Sequence, residues 1–157
     1  MAKQIEFVLV DSLIKQHLAS KQTGGSFSLF ENKSNGSSKT PIHVHAREDE
    51  TLYVMQGAMR AIIAGEEHSL EAGESIFLPR GIPHQLMNES GSPAHYVLLC
   101  TPGGFEDFLA AGGHALTPGE IPQPPLPADI ERMKAAAPRF GITMLANWTA
   151  GSSFTES

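Results

Sequence analysis

His43 and His45 stand two apart in the run Ile42-His43-Val44-His45. Side chains two apart on a strand point to the same face. A β-branched valine separates the two, so the run reads as a strand carrying two imidazoles on one side. A charged connection follows, Ala46 to Asp49, and then a β-rich stretch, Glu50 to Gln56, ended by Gly57. Glu50, Leu52 and Val54 share one face of that second strand. If the two strands lie side by side, Glu50 comes near His43 and His45. A third imidazole arrives separately. Ile76-Phe77-Leu78 reads as a strand, Pro79 to Pro83 as a turn, and His84 to Asn88 as the next strand. Proline fixes φ in such a turn and Gly81 permits φ > 0.

Three imidazoles and one carboxylate form a mixed nitrogen and oxygen donor set. It suits one divalent transition metal, Fe, Mn, Ni, Cu or Zn, and does not suit Ca or Mg. His43, His45, Glu50 and His84 are the candidate ligands. A six-coordinate ion held by these four keeps two positions open, as a reactive site requires.

The spacing of both blocks resembles the two motifs of the cupin superfamily. The first, H-x-H-x4-E-x6-G, falls on His43, His45, Glu50 and Gly57. The second, G-x5-P-x-G-x2-H-x3-N, falls on Gly73, Pro79, Gly81, His84 and Asn88. One departure is visible: six residues, where the pattern has five, separate Gly36 from His43, so that loop is one residue longer. Beyond the motifs, the stretches Thr23–Glu31, His45–Val54 and Thr101–Phe108 look like single-domain cupins grouped with quercetin 2,3-dioxygenase-like proteins. The resemblance implies an all-β cupin barrel, a double-stranded β-helix or jelly roll. It also implies a metal in the barrel, an enolic substrate such as a flavonol on that metal, O2 as co-substrate, and Glu50 as general base. The fold hosts several chemistries. A small-molecule-binding cupin without turnover and a metal-dependent isomerase, hydrolase or lyase therefore stand as alternatives.

The rest of the chain agrees with one β-rich domain. It has 157 residues, with fifteen Gly and eleven Pro, a length and turn content suited to a single barrel. Strands are expected at 5–10, 26–31, 58–64, 68–71 and 94–101; the period leaves 13–18 open between strand and helical turn. After Pro102 the pattern changes. Phe105, Phe108 and Leu109 share a helical stripe, and Ile130, Met133 and Ala137 share another. The expected organisation is a barrel over about 5–101 and a helical extension over about 102–148, lying outside the barrel. A disordered tail is expected at 149–157.

The net charge of −6 argues against nucleic acid and anionic membrane surfaces as partners. No apolar run reaches transmembrane length. The N-terminus lacks a secretory layout, and one cysteine, Cys100, allows no internal disulfide; together these favour the cytoplasm. Cys100 lies in an apolar strand with no basic neighbour and reads as inert. His17, His68, His95 and His114 fall outside the metal set. Glu48 and Asp49 are expected to face solvent. Tyr53 and Met55, opposite in parity to Glu50, should pack outside the barrel, against the helices or a second copy in a homodimer. The expected walls of the small-molecule pocket are Phe27, Leu29, Leu52, Val54, Phe77 and Leu86.

Overall fold

The computed structural model describes residues 4–145. Thirteen strands and two α-helices follow in chain order: β1 (Glu6–Leu9), β2 (Ser12–Leu18), β3 (Ser28–Ser34), β4 (Ser38–Lys39), β5 (His43–His45), β6 (Asp49–Gln56), β7 (Ala58–Ile63), β8 (Glu66–Glu71), β9 (Ser75–Leu78), β10 (His84–Asn88), β11 (Ala94–Thr101), α1 (Phe105–Gly112), β12 (His114–Ala115), α2 (Pro127–Ala136) and β13 (Ile142–Met144). One sheet runs β12-β1-β2-β3-β11-β6-β9. The other runs β13-β5-β10-β7-β8, with β4 also pairing β10. Every pairing in both sheets is antiparallel. The architecture is the all-β jelly-roll barrel. The segment 13–18, undecided by period, is a strand because it pairs with both β1 and β3.

Alternation sets the core. In β11, Ala94, Tyr96, Leu98 and Cys100 turn inward and the residues between them outward. In β6, Glu50, Leu52 and Val54 turn inward, while Tyr53 and Met55 are 44% and 45% exposed. The outer face of β6 is thus left uncovered by the helices. Gly57 ends β6 at φ +80°, and a Cβ there would stand 2.5 Å from the Pro93 carbonyl oxygen. Only glycine combines that left-handed backbone with so close an approach.

Three expectations about inward faces need correction. In β3 the buried residues are Ser28, Phe30, Asn32 and Ser34, so Phe27 and Leu29 are not on the core face. The six-residue alternation marked two faces without saying which was in. Ser28 tolerates burial because its hydroxyl donates to Glu106 Oε2 at 2.7 Å and accepts from the Gly104 N–H at 3.0 Å. Phe77 is 54% exposed on β9. Its register explains this: Leu78 pairs with Glu50 and Ile76 with Leu52, so those two follow the inward parity. Glu48 is buried rather than solvent-facing.

The C-terminal part is more than an appendage. Phe105 and Phe108 of α1 and Met133 of α2 pack into the core. Strand β13 pairs with β5, register Ile142 to His45 and Met144 to His43. No helix among the described residues is long and apolar enough to cross a membrane. The tail 149–157 lies outside the described residues.

Candidate metal centre

Strand β5 sits between β13 and β10, with His43 directly opposite His84. His43 and His45 project from the same side of β5, as residues two apart must. The turn that delivers His84 is fastened at two points. The Gly81 N–H donates to the His45 carbonyl oxygen at 2.8 Å. Asp49 accepts from the Arg80 backbone N–H at 2.8 Å and from its guanidinium at 3.0 Å. Proline at Pro79 and Pro83 and φ +76° at Gly81 shape the loop between these ties.

The three imidazoles converge. Their rings lie 5.0 Å (His43–His45), 4.4 Å (His43–His84) and 5.5 Å (His45–His84) apart by centroid. One nitrogen from each falls within 4.8 Å of the others. Glu50 reaches the group from β6: Oε1 is 3.2 Å from His45 Nε2, and Oε2 is 3.2 Å from His84 Nε2.

Tautomers follow from the outer partners. His43 Nδ1 donates to the Pro41 carbonyl oxygen at 2.7 Å, and His45 Nδ1 donates to Glu48 Oε1 at 2.6 Å. Each bond leaves Nε2 as the lone-pair nitrogen, turned to the common point. His84 is buried with neither ring nitrogen in an aligned hydrogen bond. An unsatisfied buried imidazole is costly without a partner, and a divalent metal at the common point supplies one. The donor set therefore fits a transition metal of the Zn, Fe, Ni, Cu or Mn type. His43, His45 and His84 would hold it, with Glu50 as the adjacent carboxylate.

Electrostatics favour the same use. Burial, reinforced by the like charges of His84 and His45, pulls His43 down to about 3, so this imidazole is neutral and ready to ligate. Burial alone would raise Glu50, but the charges of His45 and His84 outweigh it and bring Glu50 down to about 2. For His45, burial lowers the pKa, and Glu50 and Glu48 together more than reverse that, so it lies above the usual imidazole value.

Glu48, expected from the sequence to face solvent, is buried against the His45 ring. The available signal was its spacing: three residues after His45, across a tight connection, a carboxylate can turn back on the ring. Glu48→Ala is expected to weaken metal binding by roughly ten- to hundredfold, and Glu48→Gln by less, since the amide oxygen still accepts the Nδ1 proton. Competition titration with a chromophoric zinc chelator measures this. Unchanged affinity in Glu48→Ala would remove Glu48 from any positioning role.

A chamber lies beside the imidazoles. Leu86 borders it, together with Leu98, Phe105, Phe108, Met133 and Ile142. Of the other expected wall residues, Leu52 and Val54 are fully buried in the core without bordering it. Phe27, Leu29 and Phe77 do not line it either. The aromatic wall from α1 corrects the expectation that the helices lie outside the barrel. The remaining histidines stand elsewhere. His17 and His95 flank Glu31 at 3.2 and 2.7 Å, and His114 pairs with Glu120.

Residues 33–100 match the family model described as the Cupin domain. The barrel and the motif residues agree with that match, which covers less than half of the chain. Among its curated relatives is the tetracenomycin polyketide synthase protein TcmJ of Streptomyces glaucescens, 35% identical over 60 residues, covering 38% of this chain and 40% of the relative. Another is the quercetin 2,3-dioxygenase of Bacillus subtilis, 28% identical over 106 residues, covering 66% of this chain and 30% of that enzyme. The matches thus span well under half of either curated relative. The polyketide cyclase RemF of Streptomyces resistomycificus shares the fold, with a TM-score of 0.52 and 24% identity over 58% of this chain and 65% of that one.

Proposed function

We propose that this cupin is a metal-dependent dioxygenase acting on a small enolic or aromatic substrate. The observation that carries the reading is the chamber, whose lining joins apolar side chains to His43, His45 and Glu50. Such a chamber admits a flat organic molecule and presents its polar end to the imidazoles. The two curated relatives support it through their names, one tied to a polyketide synthase and one to dioxygenation of quercetin.

A divalent metal held by His43, His45 and His84 would supply Lewis acidity at the enol oxygen and a place for O2 beside it. The chain's own residues do the rest. Glu50 is ionised at neutral pH, so an Oε atom is available to take the enol proton. Glu48 and Pro41 keep the His45 and His43 rings aimed at the common point. Phe105, 5.7 Å from the His45 ring by centroid, helps exclude water from it.

The test is oxygen consumption with a flavonol and a β-diketone after loading with Fe, Mn, Ni or Cu. Uptake matching substrate loss is expected, with Glu50→Gln slower by roughly a hundredfold or more. Product formed without oxygen uptake would replace the dioxygenase by an isomerase or lyase. Tight binding without turnover would leave a binding protein.

A further inference from the structure

Two of the three imidazoles are aimed by hydrogen-bond partners. His43 Nδ1 donates to the Pro41 carbonyl oxygen and His45 Nδ1 to Glu48. His84 has no such partner among the described residues: both ring nitrogens are buried and neither makes an aligned hydrogen bond. A metal-ligating histidine is ordinarily aimed by what its other nitrogen donates to. The aim of the His84 ring is therefore left to its backbone and to stacking on the His45 ring, 5.5 Å away and within 11° of parallel. His84 opens β10, so pairing with His43 and Ile63 holds its backbone on one side only. On the other side stands the Pro79–Pro83 turn.

Strand β6 grips that turn and that ring at once. Asp49 and Glu50 are consecutive, so their side chains leave opposite faces. Glu50, inside, places Oε2 3.2 Å from His84 Nε2. Asp49, outside, accepts at Oδ1 from the Arg80 backbone N–H at 2.8 Å and from Arg80 Nε at 3.3 Å. Its Oδ2 accepts from Arg80 Nη2 at 3.0 Å. Arg80 Nη2 also donates to the Thr101 carbonyl oxygen at 3.2 Å, and Thr101 is the cross-strand partner of Asp49. Register leads the chain there, since Leu78, the last residue of β9, pairs with Glu50. The other ties of the turn, Gly81 N–H to the His45 carbonyl oxygen and Ala64 N–H to the Pro83 carbonyl oxygen, run between backbone groups. Asp49 adds a side-chain tie.

We propose that Asp49 is a positioning residue for the metal centre: from outside the barrel, through Arg80, it fixes the turn that sets the His84 ring at the common point. This role rests on His84 being a metal ligand, as argued above, and adds what aims it. An exposed ion pair ordinarily contributes little to folding stability. A ligand left loose by its supporting groups costs affinity even when the fold is intact. Loss of the Asp49 tie therefore separates the two quantities.

The test uses the full chain loaded with Co2+, whose visible absorption reports the ligands around it, and zinc affinity measured by competition with a chromophoric chelator. Asp49→Ala is expected to lower zinc affinity by roughly tenfold or more and to change the cobalt spectrum. The midpoint of thermal unfolding of the metal-free protein should move by about 4 °C or less. Asp49→Asn keeps an oxygen for the Arg80 N–H and is expected to return affinity to within about threefold of wild type. Glu67→Ala removes another exposed pair, with Arg60, and should change neither affinity nor spectrum. Wild-type affinity and spectrum in Asp49→Ala overturn the role, as does an equal loss in Glu67→Ala. If Asp49→Ala fails to fold, Arg80→Ala takes its place, with a loss expected between those of the two Asp49 variants and no loss overturning the role. Wild type that binds neither ion would sink the metal reading and this role with it. A metal-binding wild type with indifferent Asp49 and Arg80 variants would sink the role alone.

Discussion

His84→Ala is expected to lose most of the bound metal, with affinity for a divalent transition ion falling by at least about a hundredfold. His84 comes from β10, on a turn tied to β5 and β6, and its two buried nitrogens have no aligned hydrogen bond. Removing it leaves His43 and His45 on one short strand and Glu50 across the barrel. Two imidazoles and one carboxylate hold a metal far less tightly than the full set. His95→Ala, which touches only the Glu31 pair on the outer face, should leave metal content unchanged. Elemental analysis of the purified variants decides the matter. Full occupancy in His84→Ala would refute the assignment.

Phe30→Ala is expected to cost about 3–5 kcal/mol of folding stability. Its ring is fully buried and meets the Phe105 ring edge-on, centroids 5.7 Å apart. Truncation removes apolar contacts from the barrel wall and from α1 together, and a void at that seam cannot close without moving one element. For a domain of this size the midpoint of thermal unfolding should drop by roughly 10 °C. Calorimetry and urea titration measure the loss. A change below about 1 kcal/mol would mean that helix and barrel are not packed as one core.

Local chemistry was the legible part. The parity of His43 and His45 depends on three residues, and the Pro79–Pro83 turn on backbone preferences inside five. Both can be read without knowing the fold. The inward face of β6 followed likewise, because Glu50, Leu52 and Val54 left the more polar parity outside. What stayed hidden depends on partners distant in sequence. Ser28 is inward because Glu106 receives its hydroxyl, and Phe77 is outward because β9 pairs with β6 in one register only. Glu48 looked like one more charge in a charged connection; its burial follows from the His45 ring turning toward it. The wall from Phe105 and Phe108 needed the return of the chain over the barrel, which no local period encodes. The stripe Phe105, Phe108, Leu109 announced a helix and a buried face, but not that the face would border the chamber.

The pairing of β13 with β5 bears on how this protein can be divided. A fragment ending near residue 100, where the domain match stops, would carry His43, His45, Glu50 and His84 complete. It would also leave β5 with an open hydrogen-bonding edge beside two of the imidazoles, and the chamber without Phe105, Phe108, Met133 and Ile142. Cutting the chain to the matched residues would therefore keep every candidate ligand while discarding the strand and helices packed around them.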